Sequence, residues 1–323
     1  MQALAGTADP SLAGKRTVAT IRVPDERIDR LSLVFRPKKT TYATVEVVLD
    51  DTSTDTVARR VAPGKTADVI VLVASAFGLG AEGAEAALAD LEKMLTEMVL
   101  MDQAVIEKRL ETFRKTNDKG IERQILERLF SVIEEGSLLN TLKLSEAEDK
   151  LLTPYAFITL KPVIAVVNVD EDEMGNEVWP ELEARLARRG ITPVTLSAAF
   201  EREVSSLAAE EQMEFLQAVD LTAPASHRLV HSVYRAMSLI SFFTVGEDEV
   251  RSWPVRTHSP APVAGGKIHT DIRRGFIRAE VVSYDHFMDA GSLATARKTG
   301  RLRTEGKEYV VVDGDIMNFL FNV

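Results

Sequence analysis

Phosphate-transfer chemistry would announce itself as G-x-x-x-x-G-K-[ST], a loop whose backbone N–H groups cradle phosphate oxygens while its lysine and hydroxyl reach the terminal phosphates and Mg²⁺. The 323-residue sequence contains no such stretch. Gly14-Lys15 is read as its nearest echo, but Asp9 stands where the first glycine belongs and Arg16 where the hydroxyl belongs. The histidines His227, His231, His258, His269 and His286 show no spacing to carboxylates that suits zinc. With no cysteine, the chain has no disulfide, thiolate metal site, cysteine nucleophile or thiol-based redox sensor. Neither a nucleophile triad nor an interpretable carboxylate pair can be read from the spacing.

Charge narrows the partners. A formal net charge of −10 argues against general polyanion binding, so DNA is not an expected ligand. From Ser241 onward 11 Lys/Arg balance 11 Asp/Glu, so the whole negative excess lies upstream. Any RNA contact would then use Arg273, Arg274 and Arg278, or Arg297, Lys298, Arg301 and Arg303. No apolar run reaches the roughly 20 residues of a membrane span, and the N-terminal residues lack the basic-then-apolar order of a signal peptide. A cytoplasmic protein with no membrane partner is expected.

The elements that must carry these residues show two periodicities. Val45–Leu49, Val69–Val73 and Val163–Val167 are β-branched runs that suit strands of a mostly parallel sheet, with helical patterns such as Trp179–Arg189 between and after them. Between about 84 and 139 the period lengthens. Leu88, Leu91, Leu95, Met98, Val105 and Leu110, then Ile121, Ile125, Leu129, Val132 and Ile133, form two apolar stripes joined by a polar segment, which predicts an antiparallel helical hairpin inserted in the α/β domain. After a helical stretch over 208–238, short β runs separated by Gly, Pro and Asp turns predict a small mixed β domain. The expected segments are 1–80, the N-terminal half of the α/β domain; 81–150, the hairpin; 151–238, the C-terminal half with linking helices; and 239–323, the last domain.

Specific stretches extend this reading. Gly266-Lys267-Ile268-His269-Thr270-Asp271-Ile272, Arg274-Gly275-Phe276-Ile277-Arg278-Ala279-Glu280-Val281-Val282 and Phe319-Leu320-Phe321-Asn322-Val323 resemble a TGS domain, and more narrowly the YchF (Obg-like ATPase) family. Leu142–Glu148 and Leu160–Asp172 are similar to the same family, as are Val23–Leu31 and Pro37–Thr40. The resemblance implies a Ras-like P-loop α/β fold with the hairpin inserted and a β-grasp-like α+β TGS domain at the C-terminus. It implies a translation component, the ribosome foremost, as partner. It also implies ATP or GTP with Mg²⁺ as ligand, provided a phosphate site is supplied.

The family's motifs map unevenly onto this sequence. Asn168-Val169-Asp170-Glu171 matches the adenine-recognising motif, which makes Asn168, Val169 and Glu171 base-site residues by resemblance, and Ser197, Ala198 and Ala199 occupy the final base-contact loop. The switch I threonine aligns with Thr17 only after a gap and otherwise falls on Ala13, so Mg²⁺ binding rests on Thr17 alone. Where the family has an Asp-x-x-Gly turn, this chain reads Leu49-Asp50-Asp51-Thr52. Gln2-Ala3-Leu4-Ala5-Gly6 resembles the helix that directly follows the P-loop. Two readings stand. In one, the protein is a degenerate binding module of the translation apparatus, with an uncovered sheet edge that favours a homodimer; in the other, the sequence is an N-terminally truncated record of an active Mg²⁺-dependent ATPase.

Overall fold

The computed structural model describes residues 17–49, 56–174, 179–219, 221 and 223–322. Strand β1 (Thr17–Arg22) pairs with β3 (Thr44–Leu49), and between them lie helix α1 (Glu26–Phe35) and the short β2 (Lys39–Thr41). The Asp25 carboxylate caps α1 by accepting the Arg27 N–H at 3.0 Å, and Arg36 in the left-handed region ends it.

A short helix α2 (Val57–Val61) leads to β4 (Ile70–Ser75). Helices α3 (Gly83–Thr116) and α4 (Ile121–Glu134) then form the hairpin that the periodicity predicts. The 34 residues of α3 rise about 50 Å. Its turn is closed locally: Asn117 takes the left-handed conformation, and Asp118 accepts the Gly120 N–H at 2.7 Å. The stripe is slightly rephased from the expectation. Ile106 is fully buried beside the half-buried Val105, Leu126 joins Ile125 in the seam, and Ile121, at the first position of α4, is 61% exposed.

Helix α5 (Glu146–Leu152) carries a reciprocal capping box between Ser145 and Glu148. Strand β5 (Val163–Asn168), helix α6 (Pro180–Arg188), strand β6 (Thr192–Leu196) and helices α7 (Ala198–Ser206), α8 (Ala209–Ala218) and α9 (Ala225–Ala236) follow. Strands β4, β5 and β6 form a parallel sheet in that order, with Val73 opposite Val166 and Val166 opposite Val194. Asp102 pins the hairpin to the entrance of β5. Its buried carboxylate accepts the Ile158 N–H (3.1 Å), the Thr159 N–H (2.7 Å) and the Thr159 hydroxyl (2.7 Å). A buried carboxylate is tolerated only when its lone pairs are used in this way.

The remaining chain is β7 (Leu239–Thr244), β8 (Glu249–Arg256), α10 (Ala261–Ile268), α11 (Thr270–Arg274), β9 (Phe276–Ser283), α12 (Tyr284–Ala290), α13 (Leu293–Lys298), β10 (Arg303–Glu305) and β11 (Asp315–Phe321). They form a mixed sheet in the order β10-β9-β11-β7-β8-β2, in which β7 and β11 are parallel neighbours and β7–β8 an antiparallel hairpin. One face packs Phe242, Val255, Phe276 and Ala279 against Ala264 of α10 and Ile272 of α11. The other packs Phe243, Val250, Val282, Phe287 and Ile316 with Ile28 and Leu31 of α1.

Two compact units result: Val47–Val233 belong to one, and Thr20–Glu46 with Tyr234–Val323 to the other. The sequence-based segments put 20–46 with residues 1–80, whereas here they complete the C-terminal unit. Arg27 explains part of this. Its guanidinium bonds Asp25 (2.8 Å) and Asp313 (2.7 Å) and lies 5.2 Å over the Phe243 ring, while Asp313 also accepts the Ser241 N–H at 2.9 Å. Burial works against the charge of Arg27, but the bonds and charges of the two aspartates outweigh it and hold the group firmly protonated.

Candidate nucleotide-base site

The C-terminal ends of β5 and β6 meet at one corner of the parallel sheet, the position where open α/β sheets present their ligand-binding loops. Asn168 is the last residue of β5, half-buried, and its Oδ1 accepts the Ala198 N–H at 2.8 Å. That bond joins the two segments nominated from the sequence. Beside it, the buried Val169 donates its N–H to the Leu196 carbonyl (2.9 Å), and Ala76 donates to the Asn168 carbonyl (2.8 Å). Ser197 is buried and caps α7 by accepting the Phe200 N–H at 3.4 Å, with Ala198 and Ala199 in the first turn.

The chemistry of Asn168 follows from its partner. An asparagine amide has one acceptor oxygen and two donor hydrogens. With the oxygen committed to Ala198, what Asn168 can present is its N–H₂, suited to an acceptor such as a purine ring nitrogen. Glu171 is exposed at the start of a short 3₁₀ turn, Glu171–Glu173, three residues further on.

Asp170 adds a contact that sequence reasoning missed. Its carboxylate accepts the Gly78 N–H at 2.8 Å and so ties the turn after β4 to the end of β5. Gly78 has φ +75°, which a side chain would strain, so only the glycine hints at a special turn there.

The described residues offer less to phosphates. Gly64-Lys65-Thr66 spells the end of a phosphate loop, yet the fold turns it to another use. The Gly64 and Lys65 carbonyls accept from the Lys161 ammonium at 2.7 and 2.6 Å, so the backbone faces a cation with oxygens rather than an anion with N–H groups. Burial pushes the Lys161 ammonium down, against Asp68 and Asp102. Gln2–Gly6, Ala13, Gly14-Lys15 and Asp50-Asp51-Thr52 lie outside the described residues, and Leu49 ends β3. Thr17 opens β1. Among the described residues no group of three or more His, Asp or Glu side chains is placed to hold a metal ion. Of the residues nominated for Mg²⁺ and the phosphates, Thr17 and Leu49 are described and the others are not.

The arginine groups are partly committed to acids. Arg274 pairs with Asp271 (2.8 Å), Arg297 with Glu280, Arg301 with Asp289 (2.9 Å), and Arg303 with Glu305 (3.6 Å) while also stacking on Tyr309. Arg273, Arg278 and Lys298 are exposed and form no ion pair among the described residues. No helix among those residues is long and apolar enough to cross a membrane.

A parallel sheet with an inserted helical hairpin, followed by a mixed β domain, defines the class as a mixed α/β protein. Comparison sharpens this. A family model for the C-terminal domain of YchF GTPases, described as a protein of unknown function (DUF933), matches residues 239–322. The Ribosome-binding ATPase YchF of Haemophilus ducreyi is 38% identical over 240 residues, 72% of this chain and 66%, just under two thirds, of that protein. The protein of the same name from Bacillus subtilis is 31% identical over 330 residues, covering 95% of this chain and 89% of its own length. The solved structure of the Schizosaccharomyces pombe YchF GTPase superposes with a TM-score of 0.79 at 28% identity, over 97% of this chain and 88% of that one. The chain belongs to the YchF family.

Proposed function

We propose that the protein binds an adenine nucleotide through the β5–β6 corner and serves as a nucleotide-responsive binding module of the translation apparatus. The observation that supports this is the 2.8 Å bond from the Ala198 N–H to Asn168 Oδ1, which fixes the orientation of the amide and leaves its N–H₂ to donate. Val169 and Ser197–Ala199 shape the pocket, and Glu171 stands at its rim. The relatives' name, ribosome-binding ATPase, supports both the ligand and the partner. The C-terminal unit, read as a TGS domain, and the helical hairpin, read as a coiled coil, would meet that partner, with Arg273, Arg278 and Lys298 as the uncommitted cations for RNA phosphates. When bound with the nucleotide, Mg²⁺ would neutralise phosphate charge; the residues described here supply base recognition.

Leu49-Asp50-Asp51-Thr52 supports a module whose hydrolysis is weakened, because leucine and threonine replace the aspartate and glycine that serve Mg²⁺ and the γ-phosphate in the family turn. The second reading, a working Mg²⁺-dependent ATPase, is favoured by the relatives' name. Calorimetric titration of ATP and GTP, with Mg²⁺, into the full chain and into Asn168→Ala decides the first point, and phosphate release under the same conditions decides the second. ATP affinity should fall about tenfold in Asn168→Ala, the worth of one well-placed hydrogen bond. Equal affinity of the two proteins would overturn the base assignment, and sustained phosphate release would overturn the module reading in favour of the ATPase.

A further inference from the structure

Two charged side chains outside the base motif, Glu201 buried and Arg228 half-buried, bond to backbone on either side of its loop. Glu201, three residues past Ala198 on α7, is buried, and its Oε1 accepts the Ala225 N–H at 2.7 Å. The same carboxylate receives the Ser226 N–H. These are the first N–H groups of α9, which have no partner within the helix and sit at its positive end. Arg228, one turn into α9, donates from Nη2 to the Thr195 carbonyl at 3.2 Å. Glu201 and Arg228 attract one another, which offsets part of the burial that raises the carboxyl and lowers the guanidinium.

The arrangement brackets the loop. Thr195 lies two residues before Ser197 and Glu201 two residues after Ala199, and both are fastened to the first turn of the same helix. Between them, the Ala198 N–H is the group that orients Asn168. Burying a carboxylate fully and a guanidinium in part is costly unless a specific geometry offsets it.

We infer that Glu201 and Arg228 are positioning residues for the base loop: through α9 they hold Ser197–Ala199 where Ala198 can aim the Asn168 amide, and so set purine affinity without touching the base. This rests on the nucleotide reading above for its ligand, and on the hydrogen bonds alone for its mechanics.

The test compares the full chain with Glu201→Ala, Glu201→Gln and Arg228→Met by hydrogen exchange without nucleotide, and by titration with ATP and with tripolyphosphate. In Glu201→Ala, peptides covering 195–201 should exchange about tenfold faster while those covering 163–168 are unchanged, since local opening reports local restraint. ATP affinity should fall roughly five- to tenfold and tripolyphosphate affinity stay constant, because the loop serves the base rather than the phosphates. Glu201→Gln keeps an acceptor for Ala225 and should restore most of both effects; Arg228→Met, acting from the Thr195 side, should loosen the same peptides. Unchanged exchange at 195–201, equal acceleration at 163–168, or no rescue by glutamine overturns the inference. If the unsubstituted chain binds no ATP, the nucleotide reading has failed, and the exchange comparison still decides whether the two residues hold the loop.

Discussion

Strands β4 and β5 lie side by side over six paired positions, from Ile70 opposite Val163 to Ser75 opposite Asn168, and are built from nearly the same residues. Their environments differ. Val163 to Val167 of β5 are all buried, whereas β4 alternates, with Val71 36% and Val73 49% exposed. Composition does not separate Ile-Val-Leu-Val-Ala-Ser from Val-Ile-Ala-Val-Val-Asn; the neighbours do. Strand β5 has β4 on one side and β6 on the other, while β4 has a single strand neighbour among the described residues. The candidate base site stands at the end of the strand that is held on every side, which gives Asn168 the rigid footing a recognising amide requires.

The largest test of that contrast lies at the entrance of β5. Replacing Asp102 by alanine leaves two buried N–H groups and one hydroxyl without an acceptor, and should cost roughly 3–4 kcal/mol in denaturant unfolding; a loss below about 1 kcal/mol would mean that the turn is held by packing alone. Next, truncating Val167 to alanine within the buried strand should cost about 2–3 kcal/mol.

A smaller effect is carried by pH. Burial raises the Asp102 carboxyl, against the hydrogen bonds from Thr159 and Ile158. A carboxyl with a folded pKa above its unfolded one binds its proton more readily when folded, so its contribution is greatest below the unfolded value, near 3.9, and is lost as pH rises through the folded one. The stability of the protein relative to Asp102→Asn should therefore decline as pH rises above about 4, and a difference that grows with pH would contradict the assigned burial. The smallest effect is expected on the neighbouring strand, where Val73→Ala should change stability by about 0.5 kcal/mol or less. If it costs as much as Val167→Ala, the two strands are equally packed and the contrast fails.

Much of this fold was legible in the sequence because its signals are local. The β-branched runs gave β3, β4 and β5, the heptad-like spacing gave the hairpin, and the Gly, Pro and Asp turns gave the short strands of the C-terminal unit. The stripe shifts from Val105 to its neighbour Ile106 because adjacent apolar residues leave the helical phase ambiguous and tertiary packing chooses between them, while Ile121 is exposed as the first residue of its helix. Asn168 and Ser197–Ala199 were found through resemblance, and nothing in their spacing, 29 positions from Asn168 to Ser197, announces that they meet. The bonds of Asp170 to Gly78 and of Arg27 to Asp313, 92 and 286 residues apart, are invisible to any window along the chain. Gly64-Lys65-Thr66 shows the converse: a suggestive tripeptide whose backbone is already occupied by Lys161.

The placement of Thr20–Glu46 in the C-terminal unit has a consequence in time. At a synthesis rate of about 5–20 residues per second, α1 and β2 leave the ribosome roughly 10–40 s before the strands that cover them. Throughout that interval Ile28 and Leu31, fully buried in the finished protein, lack the Phe243, Val250, Val282 and Phe287 side chains of their core. Unlike the hairpin, which can close as soon as it emerges, this unit is assembled from two stretches that leave the ribosome far apart in time.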